Sequence, residues 1–332
     1  MIHGSTRKFL HKNVSLFITL GLFILLFSSV MIIGPMKSNR FKFLPVFFNL
    51  LNDNAYLLIA SVGIMFVLVT GNIDISVAST LAFSAVFSSY LLRASWPAWV
   101  VIPLVLLIGF SFGSLMGFLI EKFKLQSFIV TLAGLFFLRG MCAVVSQESI
   151  PIENEFYRTV AQAKISFGSV RSFGKVNIYY YGFVAILVVL VALYILRYTK
   201  FGRSVYAVGG SEQSARLMGL PVSKVKILVF GISGLCAALG GVLFSFYTLA
   251  GYALQNLGLE LDAISSAVIG GTLLSGGVGS VVGTAFGVLI QGTIQTIVTL
   301  LNLNAWWTKV TIAVLLCIFV ILQRIIAMRN DT

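Results

Sequence analysis

Long runs of apolar residues follow one another along almost the whole of this chain, with short polar stretches between them. A helix that crosses a lipid bilayer needs about 20 mostly apolar residues, and lipid offers no hydrogen bonds to an exposed backbone. Each long apolar run is therefore predicted to be a helix within a membrane. The predicted segments are 14–34, 54–71, 74–92, 97–120, 127–147, 177–196, 227–250, 261–275, 278–300 and 306–323.

The composition agrees with this class of fold. Of the 332 residues, 58% are hydrophobic and 10% are charged, whereas a soluble domain carries about 25% charged residues. A soluble protein cannot bury so much apolar surface, but a bilayer can accommodate it. We predict an all-α polytopic membrane protein with about ten transmembrane helices, organised as a single transmembrane domain over residues 1–332 with the lipid bilayer as its surroundings.

The basic residues predict an orientation. The net charge of +13 is compatible with nucleic-acid binding or with membrane topology, but Lys and Arg lie between the apolar runs, so we expect no nucleic-acid partner. The first run resembles a signal peptide, yet it has the length of a span and lacks a small-residue cleavage site, which favours an uncleaved helix. With the N-terminus inside, the basic loop 197–226 and both termini are cytoplasmic.

Metal and disulfide chemistry are not predicted. Cys142, Cys236 and Cys317 all lie within apolar runs and are interpreted as small hydrophobic residues. The two histidines, His3 and His11, both lie in the N-terminal stretch, which leaves no histidine cluster for a metal. We therefore expect no cofactor.

Segments 2–5 and 7–10 form a faint internal repeat with opposite predicted orientations. The third and eighth segments open at Asp74 and Asp262, and both are short or interrupted by glycine, which is typical of broken or re-entrant helices. Such inverted halves are common in transporters, with the pathway at their interface. The alternative is that glycine is simply frequent in membrane helices. Glycines recur at every fourth position in the fourth and ninth segments: Gly109, Gly113 and Gly117, and Gly279, Gly283 and Gly287.

The polar loop 199–226 predicts a short cytoplasmic helix over 212–218. Gly209 and Gly210 are expected to break the chain, Ser211 to cap the helix start and Gly219 to end it. A two-turn helix is marginal alone in water, so it is expected to need a partner surface. The alternative is a solvated connector.

Acidic residues next to apolar runs mark a candidate pathway. A carboxylate there should face water, a partner group or the N–H groups of a helix start. For Asp74 and Asp262, lining the pathway and capping a helix are both open as roles. The polar residues of the ninth segment either bind substrate or join helices. The candidate pathway residues are Asn72, Asp74, Ser76, Asp262, Gln291 and Gln295.

Catalytic motifs are missing from the sequence. The glycine-rich run 268–280 has no lysine followed by Ser or Thr, as a phosphate-binding loop requires. No Ser/His/Asp, Cys/His or paired-carboxylate arrangement is present either. We therefore expect no enzymatic activity, and ATP hydrolysis, if it drives transport, belongs to a separate subunit.

Ordered motifs over nearly the whole chain resemble the ribose/galactose/xylose class of ABC permeases. Within that class the subgroup that imports galactofuranose is the most similar, through Ser146-Gln-Glu-Ser-Ile-Pro-Ile and Ala305-Trp-Trp-Thr-Lys. Asn72 and Ala78 depart from the family, which usually has glycine at both positions. The class motifs are Thr70-Gly-Asn-Ile-Asp-Ile-Ser-Val, Thr131-Leu-Ala-Gly-Leu-Phe-Phe-Leu-Arg-Gly, Tyr206-Ala-Val-Gly-Gly, Ala215-Arg-Leu-Met-Gly-Leu and Glu260-Leu-Asp-Ala-Ile.

The resemblance implies a function and partners. It implies a bacterial inner-membrane permease of about ten helices with inverted halves, which pairs with a paralogue or with itself. It also implies an ABC-type ATPase and a periplasmic sugar-binding protein as partners. An ion-coupled secondary sugar transporter is the alternative, and a membrane enzyme is disfavoured. By this resemblance the ATPase-coupling helix contains Glu212, Ala215, Arg216, Leu217, Met218 and Gly219.

Overall fold

The computed structural model describes residues 14–37, 42–170 and 174–330. The basic N-terminal stretch, with His3 and His11, lies outside the described residues. The described part is mostly helical. Its helices are α1 (Val14–Lys37), α2 (Phe43–Asp53), α3 (Ala55–Val69), α4 (Val77–Arg93), α5 (Ala98–Phe123), α6 (Ser127–Val145), α7 (Glu155–Gln162), α8 (Tyr180–Tyr198), α9 (Lys200–Gly210), α10 (Glu212–Leu217), α11 (Val222–Thr248), α12 (Leu259–Ile269), α13 (Val281–Leu300) and α14 (Trp306–Asn330).

Every one of the ten predicted apolar segments contains a helix, which confirms an all-α polytopic membrane protein. Fewer than ten of these helices are long enough to cross a bilayer without a break. Within the described ranges six helices are long and apolar enough to cross a membrane, namely α1, α5, α6, α8, α11 and α13. The pair α2–α3, bent by 60°, makes a seventh, and α4 and the first part of α14 are apolar but shorter. Counting apolar runs therefore overstates the number of unbroken spans.

The eighth predicted segment is broken, as its glycines suggested. Helix α12 has 11 residues, which gives it a length of about 16 Å, half the thickness of a bilayer core. A coil over 270–280 follows, and α13 begins after it. The third segment differs, because α4 is one continuous helix that begins at Val77 rather than at Asp74.

Helix α3 forms the centre of the molecule. All of its residues except Tyr56 are buried, as expected for a helix that is apolar on every side. Helices α11, α8, α12 and α13 pack around it. Helix α11 in turn packs against α5 and α4, so α3 and α11 together form the interior of the bundle.

The glycines at every fourth position form two stripes, Gly109, Gly113 and Gly117 in α5 and Gly279, Gly283 and Gly287 at α13, and both stripes pack closely against a neighbouring helix. A Cβ built at Gly113 would overlap the Phe230 carbonyl oxygen of α11, and one built at Gly287 would overlap the Ser266 carbonyl oxygen of α12. Helix axes can approach this closely only where the side chain is absent. The partners of the two stripes are α11 and α12, which do not correspond under the proposed repeat. The inverted repeat therefore stays a prediction.

The segment between α6 and α8 lies mostly outside the predicted apolar segments, and it carries three strands. Strands β2 (Lys164–Val170) and β3 (Gly174–Tyr179) form an antiparallel hairpin. The Asn52 side chain of α2 holds this hairpin, since its Nδ2 donates to Asn177 O at 3.0 Å and its Oδ1 accepts from Tyr179 N at 3.3 Å. Strand β1 (Ile150–Pro151) pairs with β4 (Ala250–Gly251), which joins this segment to the end of α11.

Candidate functional site

Asp74 lies in the coil between α3 and α4, and it is almost completely buried. Its Oδ1 accepts hydrogen bonds from the backbone N of Ser76 at 2.9 Å and from its Oγ at 2.6 Å, and its Oδ2 accepts one from Ser233 Oγ of α11 at 2.8 Å. The expectation that Asp74 opens the helix is wrong by three residues. Ser76 is the N-cap, and Asp74 holds that N-cap residue and ties it to α11.

Asn72 faces a different space from Asp74. Its Nδ2 donates to the backbone oxygen of Thr70 at 3.2 Å and to the Thr70 hydroxyl at 3.0 Å, which closes the turn after α3. Asn72 also lines a cavity of about 450 Å³ that includes Glu121, Lys124 and Glu212. Asp74 and Ser76 do not line this cavity, so Asn72 and Asp74 face different surroundings although they are two residues apart.

A second cavity brings together the other three predicted pathway residues. Its volume is about 590 Å³, and Asp262, Gln291 and Gln295 lie in its wall. A neighbouring cavity of about 390 Å³ shares Gln295 and Tyr56 with it, so the two form one polar basin. The remaining polar residues of this basin are Asp53, Asn54, Tyr247, Thr296, Thr299, Asn302, Thr308 and Lys309.

Within the basin the two glutamines of α13 differ in role. Gln291 is buried, and its Nε2 donates to Asp262 O at 2.9 Å and to Ser265 Oγ at 2.7 Å, so it joins α13 to α12. Gln295, one helical turn further on, is exposed on the wall of the basin. For Gln291 the structure supports the role of joining helices, and for Gln295 it leaves the side chain available to a substrate.

Sequence reasoning missed Lys309, which forms an ion pair with Asp262. Helix α12 begins at Leu259, so Asp262 lies in its first turn but does not open it. Lys309 belongs to the first turn of α14, and the ion pair therefore joins two helices at the edge of the basin. In the sequence, a lysine next to the start of an apolar segment indicates only the membrane topology. The ion pair could not be predicted from it, because Asp262 is 47 residues away from Lys309.

The two acids lie at opposite ends of α3. Asn54 and Tyr56, at the start of α3, line the basin with Asp262, whereas Asp74 follows the last turn of that helix. Fifteen residues at 1.5 Å each give α3 a length of about 22 Å. The predicted pathway residues therefore mark two separate sites, one near each end of the central helix.

The predicted short helix is present as α10, and both of its predicted ends are found. Ser211 Oγ accepts from Ser214 N at 3.2 Å at the start. At the other end Leu220 N donates to Ala215 O and Gly219 N donates to Arg216 O, both at 3.0 Å, with Gly219 at a φ of +76°. This is a Schellman motif, for which glycine is the favoured residue. The expected break at Gly209 and Gly210 is wrong, because both residues belong to α9.

A cluster of charged residues fixes α10 to the bundle. Glu121, at the end of α5, is nearly buried and accepts hydrogen bonds from Arg216 of α10 and from Lys124. Lys226 of α11 forms ion pairs with both Glu121 and Glu212. Burial raises the pKa of Glu212, but hydrogen bonds from Lys226 and Arg216 outweigh that effect and hold this pKa below its usual range.

The other face of α10 is apolar and uncovered. Leu217 is 83% exposed and Met218 is 68% exposed, while Ala215 is completely buried against the bundle. Leu217 is the last residue of this capped, charge-anchored helix, and Met218 follows it directly. That a partner covers these two side chains stays a prediction.

Arg139, near the end of the motif that begins at Thr131, is bound to backbone carbonyls of another segment. Its Nη1 donates to Ala253 O and Gln255 O, both at 2.9 Å, and its Nη2 donates to Asn256 O at 3.2 Å. These carbonyls belong to the segment that leads into α12. Arg139 therefore positions the segment before one wall of the basin.

Backbone hydrogen bonds hold the glycine-rich run in place. Gly277 N donates to Val69 O of α3 at 2.8 Å, and Leu273 N donates to Val278 O within the run at 3.0 Å. Among the described residues no group of three or more His, Cys, Asp or Glu is arranged to bind a metal.

Residues 46–320 match a family model described as the permease component of a branched-chain amino acid transport system. The chain belongs to this permease family. The permease is 44% identical over 317 residues to the inner membrane ABC transporter permease protein YjfF of Escherichia coli K12, covering 94% of this chain and 92% of that relative.

Two more relatives are named for sugars. The permease is 34% identical to the fructose import permease FruG of Bifidobacterium longum, over 91% of this chain and 89% of the relative. It is 34% identical to the ribose import permease RbsC of Haemophilus influenzae, over 82% and 83%. All three relatives are permeases, which agrees with the expectation of a transport subunit rather than an enzyme.

Proposed function

We propose that this chain is the membrane-spanning subunit of a bacterial ATP-driven sugar importer. The observation that carries the proposal is α10. It is a capped helix held to the bundle by the charge cluster of Glu121, Glu212, Arg216 and Lys226, with Leu217 and Met218 uncovered. An ATPase subunit that seats on these side chains can transmit force to the bundle, because the ion pairs connect α10 to both α5 and α11.

The polar basin is the proposed start of the sugar pathway. Side chains with hydroxyl, amide and charged groups line it, and such groups exchange hydrogen bonds with sugar hydroxyls. Tyr56 and Tyr247 add aromatic surface. Asp262, Gln291 and Gln295 lie in its wall as proposed, with Gln295 the exposed member. A periplasmic binding protein delivers the sugar to this end, and Asn72, Asp74 and Ser76 lie towards the other end of α3.

The names of two relatives support a monosaccharide as substrate, since one is a fructose import permease and the other a ribose import permease. Galactofuranose is the sugar we propose, on the motifs that begin at Ser146 and Ala305. In this proposal the subunit pairs in the bacterial inner membrane with a paralogous permease or a second copy of itself, and both termini are cytoplasmic.

Uptake measured in cells tests the proposal. The chain is expressed with its neighbouring ATPase, permease and binding-protein genes in a strain that lacks its own importers, and labelled galactofuranose, ribose and fructose are supplied separately. We expect ATP-dependent uptake of galactofuranose, with the ATPase co-purifying with the permease. Uptake that persists without the ATPase but stops when the ion gradient is dissipated would contradict the proposal in favour of a secondary transporter.

A further inference from the structure

The end of α9 lies directly against the backbone of two other segments. A Cβ built at Gly209 would overlap both the Val69 carbonyl oxygen and the Gly277 backbone nitrogen. Those two atoms are themselves hydrogen-bonded to each other at 2.8 Å. Backbone meets backbone at this point, and a position without a side chain is required for it.

Both segments that Gly209 touches are helix breaks. Val69 is the last residue of α3, and Gly71, two residues later, has a φ of +75°. Gly277, at a φ of +78°, lies in the coil between α12 and α13. Tyr206 of α9 adds a second tie, because its hydroxyl donates to Gly279 O at 2.9 Å. The two breaks and the end of α9 therefore form one junction.

The same end of α9 is connected to α10 through the single residue Ser211. Ser211 N donates to Ala207 O at 3.1 Å, and Ala215 N donates to Ser211 O at 2.9 Å. Only Ser211 separates the two helices, and this residue is bonded to both. A displacement of α10 consequently moves Gly209, and the close backbone packing leaves no free space to absorb that movement.

We propose that Gly209 is a positioning residue for energy coupling, through which movement of α10 reaches the two helix breaks together. The step rests on the proposed function, since it requires an ATPase that acts on α10. Its consequence is that the breaks after α3 and before α13 change conformation in concert. Both flank the end of the bundle opposite the polar basin, where sugar leaves the pathway.

Adjacent glycines offer a matched test. Gly209→Ala adds a methyl group inside the junction, whereas a Cβ at Gly210 meets nothing within 4 Å. Neither glycine has a positive φ, so alanine is conformationally acceptable at both positions. Each variant is assembled with its ATPase and second permease in proteoliposomes. Complex yield, basal ATP hydrolysis and sugar taken up per ATP hydrolysed are then measured.

We expect Gly209→Ala to assemble and hydrolyse ATP, while uptake per ATP falls by about tenfold. Gly210→Ala should match the wild type in all three measurements. Normal uptake per ATP in Gly209→Ala, or an equal loss in both variants, would overturn the inference. If the wild-type complex itself shows no ATP-dependent uptake, the proposed function fails instead.

Tyr206→Phe keeps the test decisive if Gly209→Ala does not assemble. It removes one hydroxyl from the junction and leaves the packing of the ring. We expect normal assembly and a smaller loss of uptake per ATP than alanine at position 209 would cause. Wild-type coupling in Tyr206→Phe, together with failed assembly of Gly209→Ala, would show that the junction is structural only and overturn the proposal.

Discussion

Asp74 is a buried carboxylate whose surroundings consist of donors rather than counter-charges. Three hydrogen bonds, two from Ser76 and one from Ser233, point at its two oxygens. A buried charge is tolerated only where such donors compensate for lost water. This arrangement gives Asp74 a positioning role between α3, α4 and α11.

The substitution Asp74→Asn should be tolerated, because the amide oxygen still accepts a hydrogen bond and a serine hydroxyl can turn to accept from the amide. We expect much of the sugar uptake to remain. Asp74→Leu leaves the donors unpaired at about 1–3 kcal/mol each, and it should lower the amount of folded protein and abolish uptake. Melting in detergent and uptake in cells measure the two effects. Loss of uptake in well-folded Asp74→Asn would return the ion-coupled mechanism to consideration.

Gln291 and Gln295 form a matched pair one helical turn apart. Gln291→Leu removes two hydrogen bonds that join α13 to α12, and we expect a loss of about 1 kcal/mol of stability for each. Gln295→Leu should leave the melting temperature unchanged and raise the KM for sugar uptake. An unchanged KM in Gln295→Leu would show that the sugar does not touch this wall of the basin.

Element α10 combines an anchored face with an uncovered one. Its caps and its Glu212–Arg216 pair are local interactions that favour a helix at this position, whereas its orientation depends on Glu121 and Lys226 from α5 and α11. The ion pairs aim Leu217 and Met218 away from the bundle. The element is thus built to present two side chains to a partner in a fixed direction.

Leu217→Asp should interrupt this surface without harming the fold, since the side chain is 83% exposed. We expect wild-type expression and melting, together with loss of the co-purifying ATPase and of uptake. Lys224→Asp changes an exposed residue in the first turn of α11 and leaves Leu217 and Met218 intact, so it controls for added negative charge at this end of the bundle. Normal uptake in Leu217→Asp would refute the docking role.

Helices α5 and α11 meet through glycine, and this contact predicts a clear difference between two glycines. Gly113→Leu places a side chain against the Phe230 carbonyl oxygen, whereas Gly140 of α6 has open space around its built Cβ. Overpacking costs about 1–3 kcal/mol, so Gly113→Leu should lower the melting temperature and the yield. Gly140→Leu should change neither. Equal melting of both variants would contradict the packing of these two helices.

At the scale of the whole molecule, the charge cluster around Glu121 and the polar basin around Asp262 lie towards opposite ends of the bundle. The orientation in the membrane decides which end meets the ATPase and which meets the delivered sugar. The basic loop 197–226 predicts that the end with α10 is cytoplasmic.

Labelling of introduced cysteines tests this orientation, since the two native cysteines that remain, Cys142 and Cys236, are buried. Met218→Cys and Glu153→Cys place thiols at exposed positions of the two ends, in a chain whose exposed Cys317 has been replaced by Ala. In intact spheroplasts a membrane-impermeant maleimide should react at position 153 and reach position 218 only after lysis. The opposite pattern would reverse the proposed topology.

The sequence by itself was sufficient for the features that depend on neighbouring residues. Apolar runs predicted a helix in each of the ten segments, because a backbone surrounded by lipid must form its hydrogen bonds internally. Ser211 and Gly219 predicted α10, because caps act within a few residues. The hairpin β2–β3 was missed. Helix α9 was also missed, since a segment that ends in two glycines has a weak local preference for helix.

Only the tertiary structure decided which residues act together. Asp74 meets Ser233 across 159 positions, Asp262 meets Lys309 across 47, and Gly209 meets both Val69 and Gly277. It also divided the predicted pathway residues into two groups at opposite ends of α3. Such contacts depend on how closely whole helices approach and in which rotation they pack, and those quantities follow from the shape of every neighbouring surface rather than from any local pattern.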